Sequence, residues 1–102
     1  MIALDEKAAG STIELAVGEE AELSLAENPT TGFRWRLPPD APDAIALVAD
    51  SFTPGARPGQ GGVRVLRWRG ARAGTAPLTL VLGRSWQAGG ARTFAVTLVV
   101  RA

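Results

Sequence analysis

The chain has 102 residues with a net charge of +1, and it contains neither cysteine nor histidine. Disulfides, thiolate metal sites and the usual catalytic triads are therefore excluded, and with them the commonest general base and zinc ligand. The balanced charge lacks the strongly basic footprint of a nucleic-acid binder, and no apolar run reaches the roughly 20 residues of a membrane-spanning helix.

The N-terminal residues, Met1 to Lys7, lack the charged start and apolar stretch of a signal peptide. Alternation then begins. Ile13, Leu15 and Val17 share one parity, and Gly18-Glu19 makes a turn. Ala21, Leu23 and Leu25 alternate with Glu20, Glu22 and Ser24, and Phe33, Trp35 and Leu37 alternate with Arg34 and Arg36. The stretch Ala44 to Asp50 is compatible with a strand or a helical turn. Leu66 and Trp68 then sit between arginines, and Leu78, Leu80 and Leu82 share a parity, as do Phe94, Val96, Leu98 and Val100. A period of two over such lengths predicts strands with one buried face. Turn-rich segments separate them at 28–32, 38–43, 54–62, 70–74 and 83–90. The pattern predicts an all-β chain, one domain over residues 1–102, folded as an immunoglobulin-like β-sandwich of about seven strands. Trp35 and Trp68 fall on apolar faces and are assigned to the core. Arg64, Arg67, Arg69 and Arg72 are assigned to a solvated sheet face, and Glu19, Glu20 and Glu22 to an exposed turn and strand.

Three segments exceed what a turn needs or carry unusual chemistry. In Asn28-Pro29-Thr30-Thr31-Gly32, proline fixes its own φ and biases Asn28 away from the helical region, while Gly32 permits a positive φ. The result is a narrow, stiff, polar ridge, although taken alone it is also a plain turn. In Arg57-Pro58-Gly59-Gln60-Gly61-Gly62 the glycines allow close approach to backbone. No Gly-Lys-Ser/Thr follows, so this is not a phosphate loop. Arg84-Ser85-Trp86 places a tryptophan among Gly, Ser, Gln and Ala, where it is either a binding anchor or a lid on the core.

Taken together and in this order, the three segments resemble the chagasin family of cysteine-peptidase inhibitors, known also as family I42. Asn28-Pro29-Thr30-Thr31-Gly32-Phe33, continuing to Trp35, is similar to the family's first binding loop. Gly59-Gln60-Gly61-Gly62 is similar to its second loop, and Arg84-Ser85-Trp86 to its third. The resemblance runs from about Ser11 to the end of the chain. It implies that three loops cluster at one end of the sandwich and plug the cleft of papain-like enzymes such as papain or a cathepsin L-like peptidase. Thr30, Thr31 and Gly32 would face the active site. Gly59, Gly61 and Gly62 would line one flank, and Arg84 and Trp86 would grip the other. It implies no catalysis, no cofactor and no metal, and a monomer, because the wedge must stay free. A secreted or periplasmic location follows from resemblance to a defensive inhibitor. The Ala-, Gly- and Arg-rich composition points to a GC-rich coding sequence and a bacterial source. The competing reading is a non-inhibitory immunoglobulin-like binding or scaffold module, which fold alone does not exclude.

One departure from the family pattern generates a prediction. Ser85 stands where the family's third loop has proline, so the loop lacks a restraint worth about 0.4–1 kcal/mol. Ser85→Pro is expected to lower the inhibition constant several-fold against papain. An unchanged or raised constant contradicts the expectation that the missing restraint weakens the inhibitor.

Overall fold

The structure of the protein, a computed structural model, describes residues 1–28, 33–37, 42–55, 61–84 and 92–102, with backbone alone at Phe33 and Arg84. Among the described residues there are eight strands: β1 (Ile2–Leu4), β2 (Thr12–Ala16), β3 (Glu20–Glu27), β4 (Phe33–Arg36), β5 (Ile45–Pro54), β6 (Gly62–Gly70), β7 (Gly74–Arg84) and β8 (Arg92–Arg101). They form two four-stranded sheets, ordered β1-β3-β6-β5 and β2-β8-β7-β4.

The sequence pattern predicts about seven strands, and the structure has eight. The additional one is β1, only three residues long and too short to show a period. It runs parallel to β3 in the first sheet, whereas β2 runs parallel to β8 in the second. The N-terminal segment thus serves both sheets, with the 3-10 turn Glu6–Ala8 between its two halves. The remaining pairings are antiparallel, as in an immunoglobulin-like sandwich.

The ambiguous Ala44–Asp50 stretch is resolved as strand, since Ile45 to Pro54 pairs along β6. The register slips between Leu47 and Ala49, which leaves Val48 as a bulge on this edge strand. A bulge disfavours pairing with another chain, the hazard of an edge that exposes Leu47 and Val48. Pro77 lies inside β7, which borders β8 on one side. β4 pairs with β7 only from Val81 to Arg84, so the missing N–H of Pro77 falls outside that ladder.

The core fills the space between the sheets. Ala21, Leu23, Leu25, Leu66 and Trp68 come from the first sheet, and Trp35, Leu78, Leu80, Phe94, Val96, Leu98 and Val100 from the second. These are the residues that alternation assigns inward, and both predicted core tryptophans are buried. Leu23, Leu80 and Leu98 have no exposed surface at all. Leu80→Ala and Leu98→Ala should each lower the unfolding free energy by about 2–5 kcal/mol. Urea titration checks this. The midpoint should fall while the slope with denaturant holds.

Candidate functional site

Strand register decides where the three segments lie. Glu27, the last residue of β3, pairs with Gly62, the first of β6, and Gly62 also pairs with Pro54, the last of β5. In the second sheet Phe33, the first residue of β4, pairs with Arg84, the last of β7, and Leu82 pairs with Arg92, the first of β8. Segments 28–32, 55–61 and 85–91 therefore leave the sandwich at the same end. Segment 28–32 passes from one sheet to the other. Its first end adjoins the second segment and its last end adjoins the third.

At the opposite end two turns, 17–19 and 71–73, are short and tied down. Gly18 N–H donates to Gly70 O at 2.9 Å, Gly70 N–H to Glu19 O at 2.9 Å, and Ala71 N–H to Ala44 O at 2.7 Å. The Glu19 carboxylate accepts from Ala16 N–H at 3.0 Å. Among the described residues, that end is thus tied by hydrogen bonds between its two short turns, whereas the three segments of interest leave from the other end.

Of the residues assigned to binding, Asn28, Phe33, Gly61, Gly62 and Arg84 lie among the described residues. Pro29, Thr30, Thr31, Gly32, Gly59, Gln60, Ser85 and Trp86 lie outside them. Asn28 is half-buried. Gly61 has φ +25°, and a Cβ there would meet Asn28 Cβ at 3.1 Å and Glu27 O at 3.1 Å. At Gly62 a Cβ would fall 2.0 Å from Thr53 O and 2.8 Å from Pro54 Cα. Gly62 is thus required by its packing against β5, whereas a side chain at Gly61 would crowd Asn28 and Glu27 at a positive φ. Beside them an open groove of about 580 Å³ runs between Ala26–Asn28 on one side and Gly55 and Gly61–Val63 on the other.

Glu27 is the residue that sequence reasoning missed. It is 3 % exposed and is the one buried charged residue among the described residues. Its carboxylate accepts from Arg64 Nη2 at 2.6 Å, from Arg64 Nε at 3.2 and 3.3 Å, and from Trp35 N–H at 2.7 Å. Leaving such a carboxylate without its cation would cost roughly 3–5 kcal/mol. Arg64 is therefore not on a solvated face, which corrects its sequence assignment. It shares the inward parity of Leu66 and Trp68, and its remaining Nη1 donates to Asp50 Oδ1 at 3.0 Å. The guanidinium lies over the Phe52 ring, 5.6 Å from its centroid. The Glu27 hydrogen bond, more than the nearby negative charges, holds the Arg64 pKa above its ordinary value. A raised pKa means that this contribution to stability is fully present below the unfolded-state value and is lost only above it, in strong alkali. Arg67, Arg69 and Arg72 do face solvent. Arg67 pairs with Glu22 at 2.6 Å and Arg72 with Asp43 at 2.7 Å, and exposed pairs of this kind add little.

Among the described residues no group of acidic side chains could hold a metal ion. The arrangement brings the bases of the three segments, with Asn28, Gly61 and Gly62 among them, together at one end of the sandwich.

The sequence model of the chagasin family peptidase inhibitor I42 matches residues 14–98. The chain belongs to the chagasin family. The family is one of peptidase inhibitors and not of enzymes. Among its relatives, Amoebiasin-1 of Entamoeba histolytica is 33 % identical over 87 residues, covering 83 % of this chain and 84 % of that protein. Chagasin of Trypanosoma cruzi is 32 % identical over 83 residues, covering 76 % of each. A cysteine protease inhibitor from Entamoeba histolytica, whose crystal structure is known, superposes with a TM-score of 0.88 at 23 % identity, over 98 % of this chain and 95 % of that one. The inhibitor PbICP-C, in its complex with falcipain-2, superposes with a TM-score of 0.77 at 16 % identity, over 99 % of this chain and all of that one. At these identities the two structures establish the shared fold. The two named relatives are protozoan, so they lend no support to the bacterial source read from composition.

The close approach at Gly62 yields a stability prediction. Gly62→Ala should lower the unfolding free energy by about 1–3 kcal/mol, because backbone and not a flexible side chain stands in the way. Urea denaturation checks it. A neutral result would mean that the edge of β5 moves aside without penalty.

Proposed function

We propose that residues 1–102 form one inhibitor domain, which binds papain-like cysteine peptidases reversibly and tightly and occludes the cleft with its three loops. The observation that carries this reading is the convergence of the three loop bases on one end of a chagasin-family sandwich. Segment 28–32 takes the central place because its two ends adjoin the other two loops. A wedge with a narrow middle and two flanks matches a cleft between two lobes.

In this reading Asn28 and Pro29 set the direction of the ridge, and Thr30, Thr31 and Gly32 lie over the catalytic cysteine. Small side chains there let backbone reach the floor of the cleft. Gly59, Gln60, Gly61 and Gly62 present backbone to one wall. Phe33, Arg84, Ser85 and Trp86 belong to the other, where Trp86 supplies the large apolar anchor expected of an interface hot spot. No bond is made or broken. Inhibition is exclusion of substrate, so the absence of histidine and cysteine from the chain is no handicap. The preorganisation of the loop bases keeps the ordering entropy of binding low. The inhibitor acts as a monomer. A bacterial source rests on composition alone and is not needed by the reading.

The scaffold alternative predicts no such focus on one end. Titration of papain and of a cathepsin L-like peptidase distinguishes the two. Competitive, reversible inhibition is expected. Trp86→Ala should weaken it by about 30-fold or more, equivalent to about 2 kcal/mol. Thr31→Ala should weaken it by a smaller factor, and Arg72→Ala, at the opposite end, should leave it within about twofold. Absence of inhibition at tens of micromolar would favour the scaffold.

A further inference from the structure

Glu27 and Arg64 stand at the bases of two different loops. Glu27 immediately precedes Asn28, and Arg64 follows Gly62 by two residues. The Glu27 side chain has no exposed surface and the Arg64 side chain only 20 %, so the carboxylate cannot itself touch an enzyme. Yet its own bonds tie β3 to β4 and to β6, the strands that leave the first two loops. Trp35 N–H binds it from the far side of segment 28–32. Trp35 Nε1 donates to Ala26 O at 2.9 Å, and the Glu6 carboxylate accepts from Ala26 N–H at 3.1 Å. Through Asp50 and Phe52, Arg64 also grips β5, the strand that runs into the second loop.

Stability alone does not explain such a pair. Well-packed apolar side chains of similar volume would serve a core as well or better. What apolar packing lacks is direction. Charge-assisted hydrogen bonds fix angles as well as distances, and a guanidinium fork on a carboxylate fixes both partners. We infer that the Glu27–Arg64 pair is a positioning unit that fixes the first loop relative to the second and thereby sets the affinity of the loop end for a peptidase it does not contact. The inference rests on the inhibitor reading above. If the pair is lost, only a fraction of molecules hold the two loops in the binding arrangement at any moment. The apparent dissociation constant then rises by the inverse of that fraction, about tenfold if one molecule in ten is competent.

The test compares wild type, the isosteric Glu27→Gln, Arg64→Met and the apolar pair Glu27→Leu/Arg64→Met. Papain inhibition constants and urea midpoints are measured for each, together with amide order parameters of the free proteins by NMR. The double variant should recover the midpoint lost by Arg64→Met, yet its inhibition constant should stay raised about tenfold. Glu27→Gln should also inhibit more weakly, with lowered order at Asn28, Phe33 and Gly61. A double variant that regains wild-type inhibition along with its stability overturns the inference, because the pair is then merely structural. Should wild type itself fail to inhibit, the inhibitor reading falls by that result. The positioning claim is then judged on the free proteins, where unchanged order at the three amides in Glu27→Gln overturns it and lowered order supports it.

Discussion

One buried carboxylate organises the working end of this sandwich. Glu27 continues the inward parity of Ala21, Leu23 and Leu25, so the strand that builds the core also carries a negative charge into it. Burying that charge is unfavourable unless it is paired and hydrogen-bonded. Arg64, on the neighbouring strand, and the Trp35 N–H, on the opposite sheet, satisfy it. The carboxylate ties β4 to β3 across the two sheets and adds a side-chain link to the β3–β6 ladder. Strands that enter the first loop, leave it and leave the second are thereby held to one another at the rim.

The two ends of the fold illustrate a division of labour. The far end ties its two short turns together through backbone groups that bond to one another, as at Gly18, Glu19 and Gly70. The open end invests its bonds one layer below the loops, in the strand termini. Loops built on such a base can vary in sequence while their take-off points remain fixed, which suits a surface that must match a cleft. Gly61 and Gly62 belong to this base as much as to the surface. A side chain at Gly62 would collide with the edge of β5, and one at Gly61 would crowd the base of the first loop.

Much of the architecture was legible in the sequence because its signal is periodic. Strands β2 to β4 and β6 to β8 each carry alternating apolar residues, and most of the core is what alternation names, although Val17, at the parity of Ile13 and Leu15, lies past the end of β2 and is exposed. β1 was not legible, since three residues cannot display a period, and β5 was ambiguous because Ala and Leu suit either conformation. The charged pair was hidden for a different reason. Glu27 and Arg64 both sit at inward parity, the former in line with Leu25 and the latter with Leu66, but charge is ordinarily read as solvent exposure. Two opposite charges at inward positions near the ends of adjacent strands are the signal that could have revealed them. The binding segments were legible only as motifs in order. Their take-off points come from the register of β3 with β6 and of β4 with β7, which no local pattern encodes.

The central claim is that one end of the sandwich, and only that end, is the binding surface. Hydrogen exchange of the protein alone and in complex with papain, its catalytic cysteine blocked, tests this most directly. The account predicts added protection confined to peptides covering residues 26–34, 54–63 and 83–92, with none at the turns around Gly18 and Arg72. Protection at those turns, or an unchanged pattern at the three loops in a formed complex, would contradict it.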